Sequence, residues 1–467
     1  MTELSEKKDS CVTVTPPAGS LASDKRPASA GGTNDEASAA APQSSDLAND
    51  ARPLKIAPAK SADPFFSGRK HFPELDGLRG AAILLVMISH YIWYVPARGN
   101  WFVPIADVAS KGWVGVDLFF VLSGFLISGI LLDSKGEKRY FRNFYARRFL
   151  RIFPLYYGFL GATLMAVTAF MLLTPAAFQH FPSARRFLTD QPWLWTYTAN
   201  LYTVESGRWL AGVGHLWSLS VEEQFYIVWP VAVLLLSPRR FLRFCLGVTV
   251  GALVLRVMLT VGGVAWEKIY VLTPCRADAF AMGAVVAVLL RRNPQALRAG
   301  AEYCIRLSGA ILAAALLLTV FTRMNWRAGA SPVAGHYVAG VARGVRLDVL
   351  YTVISVFFAG LLGLLALGGP TAGLRRFFST GFMRACGRYS YGLYVFHFFI
   401  LRATARLFHE RSFPASAQRP LGAIGFIGLN IAISVGLAVI SYHCFEVHFL
   451  KLKKYFPERA AAAVPPQ

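Results

Sequence analysis

Charge is scarce in this chain. Only 16% of its 467 residues are Asp, Glu, Lys or Arg, against 55% hydrophobic residues and a mean hydropathy of +0.44. Soluble domains carry about 25% charged residues, so the composition excludes an ordinary soluble fold and makes membrane embedding the starting point. Acidic residues are the scarcer kind, 26 against 48 Lys and Arg, which leaves a formal net charge of +22. Cysteine is sparse too: Cys11, Cys245, Cys275, Cys304, Cys386 and Cys444 show no Cys-x-x-Cys or paired spacing. Neither a metal site nor a disulfide framework follows. The chain has no G-x-S-x-G elbow, no Walker loop, no His-E-x-x-His and no dinucleotide fingerprint, so the soluble-enzyme templates say nothing about it. Its N-terminus lacks the apolar stretch that defines a cleavable signal peptide, and the first span is read as an uncleaved anchor.

What the chain does have is long apolar runs. Ten of them begin near residues 75, 113, 152, 216, 241, 269, 305, 346, 388 and 421, each able to cross a hydrocarbon core of roughly 30 Å as a helix. The segment from Trp193 to Val204 is aromatic but short, and reads as an interfacial or re-entrant piece. An all-α polytopic bundle of about ten transmembrane helices is therefore expected over residues 69–450. Residues 1–68, rich in Ala, Ser, Pro, Asp and Lys, have the composition of a disordered tail, and residues 451–467 form a short basic one. With a cytoplasmic N-terminus, the loops after even-numbered spans and the C-terminal tail hold about 22 basic residues, against about 12 in the opposite loops. That asymmetry puts both termini in the cytoplasm. The excess positive charge is then topology and lipid contact, with nucleic acid excluded as a partner.

Ionisable residues inside the spans are costly and mark pathways or reaction centres. Arg79 and His90 are eleven residues apart in the first span. Eleven steps are about three helical turns, so the two share one stripe, separated by roughly 16 Å in depth. The second span contains Asp117 and the pair Ser123-Gly124, small residues that also suit plain helix packing. Arg147, Arg148 and Arg151 lie in the loop at the foot of the third span, where they suit either phosphate binding or ordinary positive-inside anchoring. The fourth span opens His215-Leu-Trp217-Ser218-Leu-Ser220-Val-Glu222-Glu223-Gln224-Phe-Tyr226. A helix-end cap accounts for one of its glutamates, but not for seven polar side chains in so short a stretch. Arg276 and Asp278 in the sixth span, like Arg256 in the fifth, each need a partner elsewhere, because residues two apart face away from one another on a helix. Ser390, Tyr394 and His397 form one stripe of the ninth span, the histidine being either a structural hydrogen-bonder or a catalyst.

These residues resemble those of acyltransferase family 3, integral-membrane O-acyltransferases. The resemblance covers about residues 72 to 450. Its carriers are Leu75-Asp76-Gly77-Leu78-Arg79-Gly80 leading to His90, Gly115 to Phe125, Arg147 to Pro154, His215 to Tyr226, Arg276 to Gly283, and Gly387 to Tyr394 leading to His397. It implies transfer of an acyl group, usually acetyl from acetyl-CoA, to a hydroxyl of a sugar or other acceptor. On this chain Arg79 and His90 match the family's Arg/Lys-x10-His motif, Arg148 and Arg151 its Arg-x-x-Arg motif, and Glu222 the glutamate of its Trp-Ser-x-x-Val-Glu segment. The family's C-terminal SGNH hydrolase-like domain has no counterpart after the tenth span, so a stand-alone member is expected.

On that resemblance, His90 is expected as general base or transient acyl carrier with Glu222 fixing its tautomer. Arg79, Arg147, Arg148 and Arg151 are expected to hold the acyl-CoA donor, and Asp117, Trp217, Arg276, Asp278, Tyr394 and His397 to face the substrate. No metal enters the reaction. The expected acceptor is a carbohydrate, such as an exopolysaccharide or a lipid-linked glycan precursor, or else a small natural product such as a macrolide. The expected site of action is a bacterial inner membrane. The rival readings are a solute transporter or flippase without chemistry, and a sensor or scaffold.

Overall fold

The computed structural model describes residues 72–93, 102–326, 336–368, 372–410 and 420–457. The expected N-terminal tail and the last ten residues of the expected C-terminal tail lie outside them. Ten helices of 19 residues or more run through the described residues: α1 Pro73–Ile92, α2 Val114–Asp133, α3 Tyr140–Leu173, α4 Trp217–Leu235, α5 Pro238–Val261, α6 Thr273–Arg292, α7 Pro294–Trp326, α8 His336–Leu367, α9 Ser390–Glu410 and α10 Pro420–Ser441. Each expected apolar run falls on one of them. Among the described residues, eight helical stretches are long and apolar enough to cross a membrane, and they fall on α1, α2, α3, α5, α6, α7, α8 and α10. The other two long helices carry clusters of polar residues: α4 has Glu222, Glu223 and Gln224, and α9 has His397, Arg402 and Arg406. Large apolar side chains such as Leu235, Val250, Val254, Met258, Ile424 and Ile440 stand exposed around the bundle, as expected where lipid replaces water. The protein is an all-α polytopic membrane bundle.

One expectation on local structure is revised. The arginine-rich stretch 142–151, expected as a loop, is the first part of α3, which runs for 34 residues with Pro154 inside it. At 1.5 Å per residue that helix is roughly 51 Å long and overshoots a 30 Å core, so its charged half extends beyond the apolar half. Arginine is a good helix former, and nothing in the segment breaks the helix. The aromatic stretch after residue 191 forms two short helices, Pro192–Trp195 and Ala199–Ser206, neither of which spans, in line with the reading of this segment as other than a span. Tyr156 stacks on Tyr197 and Tyr157 on Trp195, which fastens this stretch to α3.

The bundle is built around α2, which packs on α1, α4, α6 and α8. Glycine makes the α2–α6 crossing possible. A Cβ on Gly124 would overlap the carbonyl of Phe280, and one on Gly283 would overlap that of Val121. The backbones thus meet with no side chain between them, which answers the packing reading of Gly124. Gly124→Val is expected to lower stability by about 1–3 kcal/mol, or more if the backbones must part, read as an earlier thermal transition in detergent. An unchanged transition would refute the close crossing.

The same device joins α1 to a short helix, Gly381–Arg388. Gly77 lies on the carbonyl of Phe378, Gly80 on that of Met383, and Gly387 on that of Asp76. An ion pair between Arg375 and Glu74, 2.5 Å from Nη2 to Oε1, closes the edge of this contact.

Candidate functional site

The first turns of α1, the middle of α3 and helix 381–388 meet at one end of the bundle. A cavity opens there, with about 820 Å3 of empty space including its mouth, and runs inward between α2, α3, α4 and α9. Arg79, Arg148 and Arg151 line it, together with Ser123, Glu222, Glu223, Tyr226, Ser390 and Tyr394. Arg148 and Arg151 are three apart on α3 and so share a face. Arg79 pairs with Asp76 at 3.6 Å. Arg148 and Arg151 make no ion pair among the described residues, although the carboxylates of Glu222 and Glu223 line the same cavity.

Arg147, expected beside them, does not line this cavity. Its Nη1 donates to the carbonyls of Lys453 (3.3 Å) and Phe456 (3.1 Å), while Asn143 Nδ2 donates to that of Pro457 (2.8 Å). A single step of about 100° around α3 separates Arg147 from Arg148: Arg148 and Arg151 line the cavity, whereas Arg147 holds the C-terminal segment. The first residues of the expected basic tail are therefore attached to α3.

Glu222 is placed at the cavity wall, where Ser123 and Tyr226 both donate hydrogen bonds to its Oε1. It is not bonded to His90, as had been expected. The reason is position along the bundle. Glu222 sits with the arginines, whereas His90 is in the last turn of α1, beside Trp93, which is 62% exposed.

His90 is held instead by His397. Its Nδ1 is 3.1 Å from His397 Nε2. His397 is fully buried, and its Nδ1 lies 2.8 Å from the Tyr394 carbonyl and 3.1 Å from that of Leu393. Carbonyl oxygens only accept, so in the neutral pair His397 carries its proton on Nδ1 and offers the Nε2 lone pair. His90 must then donate from Nδ1, which leaves its own Nε2 unprotonated. A histidine fixed in this way presents a base. His215 packs edge-on against His397, with ring centroids 5.1 Å apart, and its Nε2 donates to the Val395 carbonyl at 3.3 Å.

Tyr394 stands between the cavity and this histidine cluster. It lines the cavity, donates to the His215 carbonyl at 2.8 Å, is hydrogen-bonded to Ser218, and has its ring centroid 5.6 Å from that of His397. The cavity therefore ends one aromatic ring short of the His90–His397 pair. Arg79 and His90, on one stripe of α1, mark its mouth and the region beyond its inner end.

The remaining sequence candidates lie elsewhere. Arg276 pairs with Asp117 of α2, and Asp278 with Arg256 of α5 at 2.7 Å. Both partners belong to other helices, as the spacing of Arg276 and Asp278 required. All four are buried, and none lines the cavity. Asp278 also accepts from Thr352 and from the amide of Ala279, so its oxygens are fully engaged in joining α5, α6 and α8. Arg276 lies over the rings of Tyr351 (4.6 Å) and Tyr270 (5.0 Å). Trp217 packs on Tyr270, 4.8 Å between centroids, and is likewise outside the cavity.

The reading from sequence missed His215, Arg384 and Arg388 as site residues. No local signal connects His215 or His397 to His90, since chain separations of such length carry no periodicity. For Arg384 and Arg388 the only hint is their four-residue spacing.

The family model described as Acyltransferase domain matches residues 72–439. The chain belongs to this acyltransferase family. It is 27% identical over 345 residues to the peptidoglycan O-acetyltransferase OatA of Listeria monocytogenes, a match covering 72% of this chain and 50% of that protein. It is 26% identical over 393 residues to the Bacillus subtilis protein named "Putative peptidoglycan O-acetyltransferase YrhL", covering 81% of this chain and 54% of the other. The chain thus spans about half the length of the curated relatives it matches. No solved structure matches. The matched region includes every carrier of the sequence resemblance, from Arg79 and His90 to Tyr394 and His397.

Proposed function

We propose that this acyltransferase is a bacterial inner-membrane enzyme that takes an acetyl group from cytoplasmic acetyl-CoA and transfers it to a hydroxyl of a cell-envelope glycan. Peptidoglycan or a lipid-linked precursor is the first acceptor to test, because two relatives carry peptidoglycan in their names. Both termini are on the cytoplasmic side in this reading, which puts the arginine-lined mouth in contact with the donor pool. The single observation that carries the reading is the alignment of an arginine-lined cavity with a histidine pair whose outer member has an unprotonated nitrogen.

The chain's residues suit such a donor. Arg79, Arg148 and Arg151 offer guanidinium groups to its phosphates at the mouth, and the thioester arm extends inward past Ser123 and Glu222 toward Tyr394. His90 Nε2 removes the proton of the acceptor hydroxyl as that oxygen attacks the thioester carbonyl carbon. The new C–O bond forms, the C–S bond breaks, and the imidazolium returns its proton to the departing sulfur. His397 acts through His90: its Nε2 lone pair accepts from His90 Nδ1 and becomes more strongly bonded as His90 gains charge. Tyr394 is the partition that the arm must reach or displace.

The test uses the full chain in vesicles with radiolabelled acetyl-CoA outside and a peptidoglycan fragment inside. The expected result is labelled acetyl ester on the glycan with stoichiometric release of free CoA. Passage of an intact solute with no thioester cleavage would favour the transporter reading and end this one.

A further inference from the structure

The arginine-rich mouth has a second chamber. It shares Arg79 and Arg151 with the cavity described above, and is otherwise lined by Asp76, Arg384, Gly387, Arg388, Tyr442 and Leu450, around about 580 Å3 of empty space including its opening. Four guanidinium groups face a single carboxylate there, and Asp76 is already engaged by Arg79 at 3.6 Å. Arg151, Arg384 and Arg388 make no ion pair among the described residues.

This crowding of like charge is built by the backbone. Gly387 rests on the Asp76 carbonyl and Gly80 on that of Met383, so helix 381–388 lies against α1 with no side chains between them. That contact brings Arg384 and Arg388, four apart and therefore on one face of their helix, up to Arg79. Neither arginine is needed for packing, since both are exposed. Convergent guanidinium groups repel one another, and an anion with several oxygens relieves that repulsion.

Coenzyme A presents two separate anionic centres, a diphosphate and a 3′-phosphomonoester on the ribose. Two chambers with two shared arginines correspond to that division. We propose that the second chamber binds the 3′-phosphate of the donor, with Arg384 and Arg388 as the residues that select a 3′-phosphorylated nucleotide. Arg79 and Arg151, between the chambers, face the diphosphate. The inference rests on the acetyl-CoA reading above but is separable from it.

The experiment measures binding of CoA and of 3′-dephospho-CoA to the full chain in phosphatidylcholine nanodiscs, where no anionic lipid competes. The wild-type protein is expected to prefer CoA by about 10-fold to 100-fold, the range for hydrogen bonds to a charged group. The Arg384→Ala/Arg388→Ala double variant is expected to lose that preference while still binding dephospho-CoA. Arg388→Gln, which keeps much of the side chain's bulk and tests the same ratio should the double variant fail to fold, is expected to lose part of it. Equal affinity of the wild type for the two nucleotides, or a preference that survives the double variant, would overturn the inference and leave the donor reading standing. No binding of either nucleotide would overturn both. Repeating the titration with phosphatidylglycerol present separates the alternative source of the same chemistry: if that lipid, rather than CoA, is what the arginine variants cease to bind, the chamber is a headgroup site and the proposal fails.

Discussion

Replacing His90 by alanine is expected to lower acetyl transfer by about 10²–10⁴-fold, the usual contribution of a positioned general base. The protein should still insert and keep its thermal transition. His90 is half-buried at the end of α1, and among the described residues its only hydrogen bond to a side chain is the one to His397 Nε2. Acetyl-CoA binding should survive as well, because the arginines that line the mouth are about three turns away. Loss of turnover with retained CoA affinity is therefore the signature to look for. His397→Gln offers a sharper version, since it leaves His90 in place but removes the group that determines which of its nitrogens carries the proton. It should reduce kcat more than KM and alter the pH profile, which a purely structural change would not do. Turnover of His90→Ala within a few-fold of wild type would remove the imidazole from the mechanism and leave the cavity without a base.

The second large effect concerns stability. Arg276→Ala would strand the Asp117 carboxylate, 1% exposed, without its counter-ion in the first turn of α2. Breaking a buried pair by removing one partner costs about 3–5 kcal/mol, mostly because the surviving charge is left uncompensated. The loss of contact with the Tyr351 and Tyr270 rings adds to this. Thermal melting in detergent should show a transition many degrees lower, or no folded protein. Asp117→Asn/Arg276→Gln, which removes both charges together, should recover much of the deficit, because the two changes are not additive for groups in direct contact. If the single variant melted like the wild type while losing activity, Arg276 would have to be returned to the substrate site where sequence reasoning had placed it.

These two expectations also divide what was legible from what was not. Apolar length alone located every long helix among the described residues, since a span must satisfy its backbone internally and so leaves an uninterrupted run. Only where charge sits on a helix that outlasts the hydrocarbon core did the reading fail, as at the start of α3. The site was half legible. Arg79 and His90 share a stripe because helical periodicity is a local property, and Ser390, Tyr394 and His397 follow for the same reason. Partnership was not legible. Glu222 was assigned to His90 on the family resemblance, and a motif match says nothing about the depth at which each residue sits.

The amino-acid order by itself determined that the chain forms a membrane bundle, where each helix begins to within about a dozen residues, and which residues are too polar to be there without a reason. Folding decided the pairings: His90 with His397, Arg276 with Asp117, Arg256 with Asp278, and Arg384 and Arg388 with the mouth that Arg79 opens. The physical cause is range. Helix formation and hydropathy act over a few residues, whereas these contacts join positions as far apart as 307 in sequence, brought together only when glycines such as Gly80, Gly124 and Gly387 let backbones touch.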